Sequence, residues 1–277
     1  MRNPFFKKGF LKNMETLLKD IPIVYLGFFA SLCAGLATAL GAVPILFTRK
    51  ISQRAQDVML GFGAGVMLAA TSFSLIVPGI EAAFSDTGSK PVSALIITAG
   101  MLLGGLFLRL SDKYSPHEHF IKGPEGADPR NLKRVWLFII AITLHNFPEG
   151  LAVGVGFGGG DVSNGVALAV GIGLQNIPEG LVVALALLTE KYSKSKALFI
   201  PLLTGLVEPV GGLIGAGLVT VARPVLPWGL AFAAGAMLFV ISDEIIPESH
   251  RKGFEKEATF GVMIGFVIMM FLDVTLG

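Results

Sequence analysis

The sequence predicts an all-α, polytopic membrane protein with eight transmembrane helices, and three observations support this. Charged residues make up 15% of the chain and hydrophobic residues 53%, and the mean hydropathy is +0.71. Soluble domains carry roughly 25% charged residues. Apolar segments of about 20 residues recur along the chain, and Lys and Arg are concentrated in every second connection between them. We therefore expect a lipid bilayer as the surroundings and no nucleic acid as a partner.

The first apolar segment follows a basic N-terminal stretch and is too long for a signal peptide, whose core has about 7–15 residues. We predict an N-terminal tail at 1–20 and one transmembrane domain at 21–277, with a cytoplasmic loop at 111–134. The predicted spans are 21–48, 58–83, 91–110, 135–156, 164–189, 197–222, 225–247 and 257–275.

The distribution of Lys and Arg predicts the orientation of the chain. The first, third, fifth and seventh connections, with the flanking Arg109, contain fifteen of these residues. The even connections and the C-terminus contain only Lys90 and Arg223. By the positive-inside rule the odd connections are cytoplasmic and both termini are outside. Five basic residues in the tail argue against this orientation, but the four loops outnumber them.

Small residues indicate how the helices pack. Glycines spaced four residues apart let helix backbones approach closely in lipid, and they predict a compact bundle. The single cysteine, Cys33, lies in an apolar run and is predicted to be a small buried packing residue. The glycine pairs are Gly61/Gly65, Gly100/Gly104, Gly211/Gly215 and Gly261/Gly265.

Two predicted spans contain the same polar motif near their centres. The fourth span has the sequence LHNFPEGL at 144–151, and the fifth has LQNIPEGL at 174–181. An ionisable residue inside a membrane span costs roughly 2.5–3.5 kcal/mol on insertion scales, so such residues usually have a function. Polar residues and Pro kinks also serve as interhelical hydrogen bonds and bends. Two matched copies at matched depth favour a binding site over that alternative.

The spacing within each motif indicates the chemistry of the site. His145 and Glu149 lie four residues apart, as do Gln175 and Glu179, so each pair shares one helix face. Each motif proline frees a backbone carbonyl one turn earlier. The two motifs together offer one imidazole, two carboxylates and three amide oxygens. This set suits a borderline divalent cation such as Zn²⁺, Fe²⁺ or Mn²⁺.

Acidic residues elsewhere in the spans predict further parts of the path. Glu208 precedes a proline in the sixth span and is a candidate bridging carboxylate. Acidic groups near both predicted mouths would attract a cation, although each is also compatible with an interfacial carboxylate without a role. A short histidine pair, His117 and His119, lies in the cytoplasmic loop, where it is either a metal site or solvated. The mouth residues are Glu81, Asp243, Glu244, Glu248 and Asp273.

Two other functions remain open on the residues alone. An intramembrane zinc hydrolase commonly carries His-Glu-x-x-His, whereas the motif helix offers His145 and Glu149 only. A proton- or sodium-coupled solute carrier could use Glu149 and Glu179 as proton sites. An imidazole that faces two carboxylates favours a metal, and competition by zinc would discriminate between these functions.

The paired signature H-N-x-P-E-G and Q-N-x-P-E-G resembles that of the ZIP (Zrt/Irt-like protein) metal transporters, in particular their bacterial branch. The stretch QDVMLGFGAGVMLAATSFSLIVPG and the terminal MMFLD share this resemblance, which covers the chain after the tail. It implies eight helices in a 3+2+3 bundle, usually a homodimer, in the plasma membrane (the inner membrane of a bacterium). It also implies zinc uptake by an elevator-like motion, with Fe²⁺, Mn²⁺ and Cd²⁺ compatible as substrates, and no catalytic residues.

The resemblance also implies particular ligands. One metal site would use His145, Glu149, Gln175 and Glu179, with Met67 nearby. A neighbouring site would use Asn146, Asn176 and Glu208, with the motif glutamates as bridges. We expect the metal to enter from outside past Glu81 and Asp273 and to leave toward Asp243, Glu244 and Glu248, with Ser74 as a further residue of the pathway. Asn176 stands where some relatives have Asp, and Asp243 stands where some have His; these departures put the neighbouring site and a histidine-based exit in doubt.

Overall fold

The computed structural model describes residues 20–47, 51–114, 117–119, 123–125, 134–189, 191–251 and 253–276. Apart from Asp20, the predicted N-terminal tail lies outside these residues. Most of the predicted loop 111–134 does so too, and its described part includes a short hairpin. In that hairpin β1 (His117–His119) pairs antiparallel with β2 (Gly123–Glu125). The rest of the regular structure described is helical.

The helices follow the apolar segments because a chain in lipid must satisfy its backbone groups within each segment. They are α1 (Ile23–Ala42), α2 (Gln53–Ala69), α3 (Val77–Thr87), α4 (Lys90–Tyr114), α5 (Arg134–Gly158), α6 (Val162–Thr189), α7 (Lys194–Gly205), α8 (Glu208–Val221), α9 (Leu226–Val240), α10 (Ile246–Ser249) and α11 (Glu255–Leu276). Short 3₁₀ turns lie at Val43–Leu46 and Arg223–Val225.

Two of the long helical stretches contain a π-helical segment, at Ala70–Ile76 between α2 and α3 and at Ile241–Ile245 between α9 and α10. Pro78 and Pro247 follow these segments within the first two residues of the next helix. A proline has no N–H to donate to the preceding turn, so the hydrogen-bond ladder must change there. The π segments therefore lie where the sequence interrupts the ladder, in the second and seventh predicted spans.

Among the described residues, seven helical stretches are long and apolar enough to cross a membrane. They match seven of the eight predicted spans. The remaining predicted span, 135–156, coincides with α5 but is not one of these seven. The chain is thus a multi-pass membrane protein. The seven stretches are Ile23–Leu46, Gln53–Thr87, Lys90–Ser111, Val162–Leu188, Lys194–Val221, Arg223–Ser249 and Glu255–Thr275.

Several helices extend beyond the predicted span boundaries, because polar residues of the connections cap their ends. The Ser52 side chain accepts from the Ala55 N–H at 3.2 Å, and α2 begins at the next residue. Ser193 caps α7 in the same manner, and Gly88 ends α3 with a left-handed φ of 64°. Serine caps satisfy backbone donors outside the membrane. The predicted breaks at 49–57 and 190–196 are therefore shorter in the structure.

The helices pack as two groups. The motif bundle comprises α1 and α5–α8, in which α5 packs along α8 and α1 along α6. The flanking bundle comprises α2–α4 and α9–α11, in which α2 packs along α11 and α4 along α9. The bundles meet mainly where α2 packs on α6 and where α9 packs on α5.

Glycines mark where the helix backbones touch, and these contacts lie within the bundles. In the flanking bundle, a Cβ added at Gly61 or Gly65 would collide with a carbonyl oxygen of α11. In the motif bundle, a Cβ added at Gly180 would collide with the Thr38 carbonyl oxygen of α1. The prediction of close glycine packing is confirmed. The prediction that Cys33 is buried is wrong: its side chain is exposed on α1, because the packed face of that helix is formed by its glycines and alanines.

Contacts between the bundles are of a different kind. Where a glycine of one bundle faces the other, the nearest atoms belong to side chains, as at Gly63 beside Gln175 and Gly229 beside Val155. The added Cβ would lie 3.6 Å from the Gln175 Cβ and 3.2 Å from the Val155 methyl carbons. At these glycines the boundary between the bundles is thus formed by side chains, whereas backbone atoms meet inside each bundle.

Candidate metal site

The two motifs lie inside continuous helices, with Pro148 inside α5 and Pro178 inside α6. Short connections make these helices neighbours, and the motifs face each other as the sequence predicts. His145, Asn146, Glu149, Gln175, Asn176 and Glu179 are all buried. The helices therefore bring together one imidazole, two carboxylates and three amides in the interior of a membrane protein.

His145 lies between two carboxylates from different helices. Its Nε2 is 3.3 Å from Glu179 Oε1 in α6, and its Nδ1 is 3.1 Å from Glu244 Oε2 in the π segment after α9. Glu179 belongs to the motif bundle and Glu244 to the flanking bundle. An imidazole between two carboxylates suits either a proton on the ring or a divalent cation at the ring nitrogen. The pair of His145 and Glu244 is also a polar contact between the two bundles.

Gln175 and Glu149 join the two motifs directly. The Gln175 amide nitrogen donates to Glu149 Oε1 at 2.6 Å and also to Asn176 Oδ1. These donations use the nitrogen end of the side chain, which leaves the Gln175 Oε1 as the atom that can bind a cation. Glu149 keeps its second oxygen, Oε2, without a hydrogen bond.

Asn176 connects α6 to two other helices. Its Nδ2 donates to the Ala34 carbonyl oxygen in α1 at 2.9 Å and to Glu208 Oε1 at the start of α8 at 2.6 Å. Glu208 is fully buried, and its second oxygen makes no hydrogen bond. Glu208 therefore lies beside the second motif, and its role as a bridging carboxylate stays a prediction.

Several buried polar atoms at this site make no hydrogen bond among the described residues. Leaving such atoms unpaired costs about 1–3 kcal/mol each, more for charged groups, so a cluster of them indicates a bound partner. The set combines nitrogen and oxygen donors, which fits a borderline divalent metal. The atoms without any described partner are Asn146 Nδ2 and Oδ1, Glu149 Oε2, Glu179 Oε2 and Glu208 Oε2. His145 Nε2 and Glu179 Oε1 also lack a hydrogen bond, but they lie 3.3 Å apart.

The buried donor atoms lie close together, but they do not all face one point as the ligands of a bound metal ion do. Within the described part of the chain, no group of three or more His, Cys, Asp or Glu side chains is placed to hold a metal ion. Instead, His145 contacts two carboxylates and Gln175 bridges Glu149 and Asn176. Binding a metal here requires rotation of side chains so that Glu149, Glu179 and His145 face one point.

A cavity of about 60 Å³ leads from this cluster along the boundary between the bundles. Its polar lining includes both partners of His145, and it extends to Glu248 in α10. Its apolar lining comes from α2, α5, α6 and the segment after α9. The lining residues are Leu60, Gly63, Ile142, His145, Gln175, Pro178, Glu179, Val182, Glu244, Ile245 and Glu248.

The opposite end of the bundle boundary is filled. Leu75, Phe157, Leu168 and Ile172 are each at most 2% exposed and belong to one apolar cluster. These residues lie toward the ends of their helices that face away from Glu248. The cluster of buried donor atoms therefore has the cavity on its Glu248 side and packed apolar side chains on the other.

Ser74 and Asp273, predicted on the outer path, contact each other, with the Ser74 hydroxyl donating to Asp273 Oδ1 at 2.5 Å. The buried Asn164 side chain in α6 donates to the Ser74 carbonyl oxygen at 3.1 Å. This carbonyl lies in the π segment. Asn164 thus forms a second polar contact between the bundles, and sequence reasoning missed it; its signal was a polar residue inside an apolar span.

Other predicted residues lie apart from the cluster of buried donor atoms. Met67 is 1% exposed but does not line the cavity. Glu81 lies with Lys90 in a separate groove between α3 and α4. Asp243 lies in another groove, between α4 and α9. Only the backbone pairing of His117 and His119 is described, so their proposed ligand role is untested.

Sequence reasoning also missed Asp57. This fully buried carboxylate in α2 accepts from the Gln53 side chain at 2.6 Å and has a second oxygen without a hydrogen bond. Its signal was an acidic residue at the edge of an apolar span. Asp57 does not line the cavity.

The spans and the cluster together define a class of protein. Helices long and apolar enough to cross a membrane surround a buried set of mixed nitrogen and oxygen donors, and a cavity borders that set. Buried ionisable groups in membrane helices mark ion and substrate pathways. This arrangement is typical of a membrane transporter for a cation.

The chain belongs to the ZIP family. The family model described as ZIP Zinc transporter matches residues 115–273, more than half of the chain. The chain is 53% identical over 251 residues to the zinc transporter GufA of Myxococcus xanthus, covering 91% of this chain and 99% of that protein. The zinc transporter ZIPB of Bordetella bronchiseptica is 48% identical over 241 residues (87% and 78%). The human zinc transporter ZIP11 is 36% identical over 321 residues (87% and 94%). The ZIP family consists of metal transporters, not enzymes.

Proposed function

We propose that this chain transports zinc across a bacterial inner membrane and releases it into the cytoplasm. The observation that carries the proposal is the cluster of buried donor atoms on the two motifs, at the head of a cavity. We assign the metal to His145, Glu149, Gln175 and Glu179, with Asn146 beside them. One imidazole and two carboxylates neutralise a divalent ion and replace its water ligands.

We propose that α5 is the eighth span and that the membrane crosses the bundle at the depth of the motifs. At 1.5 Å per residue, the 25 residues of α5 extend over roughly 37 Å, which exceeds a hydrocarbon core of about 30 Å. Both termini then lie outside, as the distribution of Lys and Arg predicts. The cavity end at Glu248 is cytoplasmic in this orientation, which supports release of zinc to the cytoplasm.

We propose that transport moves the motif bundle against the flanking bundle. Close backbone contacts hold each bundle together, whereas the boundary is formed by side chains. The described polar contacts across it include the His145–Glu244 and Asn164–Ser74 pairs. A bundle that carries the motifs could slide without breaking its own packing. Alternating access around a midplane site would follow.

Zinc flux into liposomes that contain the purified protein tests the transport function. We expect time-dependent zinc entry above that of protein-free liposomes, reduced by excess Cd²⁺, Mn²⁺ or Fe²⁺ because they suit the same donors. Absence of zinc flux from folded, correctly oriented protein would contradict the proposal. Transport of an organic solute that zinc does not inhibit would favour the solute carrier.

A disulfide across the bundle boundary tests the sliding motion. A Cβ added at Gly229 in α9 would lie 3.9 Å from the Val155 Cβ in α5, a separation typical of disulfides. We expect oxidation of the Val155→Cys/Gly229→Cys variant, in a Cys33→Ser background, to reduce zinc flux to the level of empty liposomes. Reductant should restore the flux, because it frees the bundles.

A disulfide inside the flanking bundle is the matched control. A Cβ added at Gly79 in α3 would lie 3.5 Å from the Leu230 Cβ in α9, and both helices belong to that bundle. We expect oxidised Gly79→Cys/Leu230→Cys protein to transport zinc at the rate of its reduced form. Flux that survives the disulfide between positions 155 and 229 would refute the sliding motion.

The homodimer implied by the family resemblance stays a prediction. Apolar side chains are exposed along α4 and α11, among them Leu95, Leu102, Phe260 and Phe271. Lipid or a second copy could cover these faces. The mass of the protein in lipid nanodiscs, measured by light scattering with the lipid contribution subtracted, would distinguish a dimer from a monomer.

A further inference from the structure

We propose that this transporter holds one divalent cation at a time. The hydrogen-bonded pair of Asn176 and Glu208, called the strut below, takes the place of a second ion. The inference rests on the proposed function, because it concerns the stoichiometry of that same metal site. It revises the sequence prediction that Asn176 and Glu208 are ligands of a neighbouring metal.

The orientation of the Asn176 side chain is fixed by its neighbours. Its Nδ2 contacts the Ala34 carbonyl oxygen at 2.9 Å and Glu208 Oε1 at 2.6 Å. A carbonyl oxygen can only accept, so the amide must present its nitrogen and not its oxygen to Ala34. Exchanging the two ends of the amide would place an oxygen against two acceptors.

The other end of the side chain is also engaged. Asn176 Oδ1 accepts from the Gln175 amide nitrogen, so each polar end of Asn176 has a partner. A cation ligated by Asn176 would need this oxygen, and would have to displace Gln175. Glu208 Oε1 already accepts from the Asn176 N–H group, so a cation could meet this carboxylate only at Oε2, and Asn176 could join it there only by giving up both of its partners.

The strut has a structural consequence for the ion site. Asn176 ties α6 to α1 through Ala34 and to α8 through Glu208, and it orients Gln175. The Gln175 nitrogen then points to Glu149, which leaves its oxygen for the metal. Asn176 is thus a positioning residue that Glu208 Oε1 holds in place, and the ion contacts Gln175 instead of Asn176.

An aspartate at position 176 should convert the strut into a second site. The Asn176→Asp carboxylate would keep the Gln175 donor at one oxygen, but its other oxygen would face the Ala34 carbonyl and the Glu208 carboxylate, which are both acceptors. A cation between the two carboxylates relieves this arrangement, and excess Cd²⁺ supplies one. We expect the wild type to bind one Cd²⁺ per chain and the Asn176→Asp variant to bind two, measured by equilibrium dialysis of protein in detergent with Cd²⁺ alone.

Glu208→Gln variants provide the matched controls. In the wild-type background, the oxygen of the introduced amide can still accept from Asn176, so we expect one ion per chain. In the Asn176→Asp background, Glu208→Gln removes a ligand, and we expect the count to return from two to one. If Asn176→Asp does not fold, the wild-type count and the Glu208→Gln count decide the question.

The outcomes separate this inference from the proposed function. Two ions bound to the wild type would overturn the single-ion inference. One ion bound to folded Asn176→Asp, or loss of the ion in Glu208→Gln, would overturn the role assigned to the strut. Each of these outcomes would leave zinc transport intact. A wild type that binds Cd²⁺ no better than Glu149→Ala would overturn the proposed site itself, and the single-ion inference with it.

Discussion

Zinc flux should fall to background, at least ~100-fold, when Glu149 is replaced by Ala. Glu149 is 1% exposed, one oxygen accepts from Gln175, and the other makes no hydrogen bond. Removing one partner of a buried, desolvated charge pair costs about 2–5 kcal/mol, and each 1.4 kcal/mol is tenfold. The measurement is the initial rate of zinc entry into liposomes.

Two further variants make this result specific. Glu149→Gln keeps the volume of the side chain and an oxygen that can accept from Gln175, but it removes the charge. We expect it to lose flux as Glu149→Ala does, with an unchanged elution profile in detergent. Asp86→Ala, at an exposed carboxylate in α3, should transport as the wild type does. Normal flux in Glu149→Gln would show that its charge does not hold the metal.

The largest loss of stability is expected for Gly180→Ala. A Cβ at Gly180 would collide with the Thr38 carbonyl oxygen and lie 2.7 Å from the carbonyl carbon. Both are backbone atoms of α1, so rotation of a side chain cannot relieve the overlap. The helices must separate, which also strains the nearby Asn176–Ala34 hydrogen bond. Overpacking of a well-packed core costs about 1–3 kcal/mol, and we expect the upper end of this range because no side chain can yield.

The measurement is the temperature at which the monodisperse peak in detergent is half lost after heating. A loss of ~3 kcal/mol corresponds to a decrease of roughly 10 °C for a chain of this size. The control is Gly217→Ala in α8, where no atom lies within 4 Å of an added Cβ. Replacing a helical glycine by alanine there should stabilise by up to about 1 kcal/mol. Equal stability of the two variants would mean that α1 and α6 do not touch at Gly180.

The primary sequence was sufficient to predict the membrane class, the approximate spans and the motif residues. Apolar runs of about 20 residues have few structural alternatives in lipid, so their number and length limit the fold. The repeated H/Q-N-x-P-E-G frame placed His145, Glu149, Gln175 and Glu179 in one site because helix periodicity puts residues four apart on one face. These predictions depend on local geometry, which a sequence encodes directly.

The sequence could not decide which helices form a unit. Glycine pairs predicted close packing, but the partner of each glycine depends on how distant segments meet. Gly180 touches α1 and Gly61 touches α11, and these choices define the motif bundle and the flanking bundle. The exposure of Cys33 and the absence of Asp243 from the cavity lining follow from the same choices.

The tertiary structure alone assigned partners to the polar groups. The sequence indicates that Asn176 and Glu208 are buried polar residues, but it carries no information on which atom of an amide faces which acceptor. The Ala34 carbonyl, 142 residues away along the chain, turns the Asn176 nitrogen toward Glu208. Hydrogen bonds between distant segments are set by the packing of whole helices, and so the structure, not the motif, shows which atom of Asn176 faces which partner.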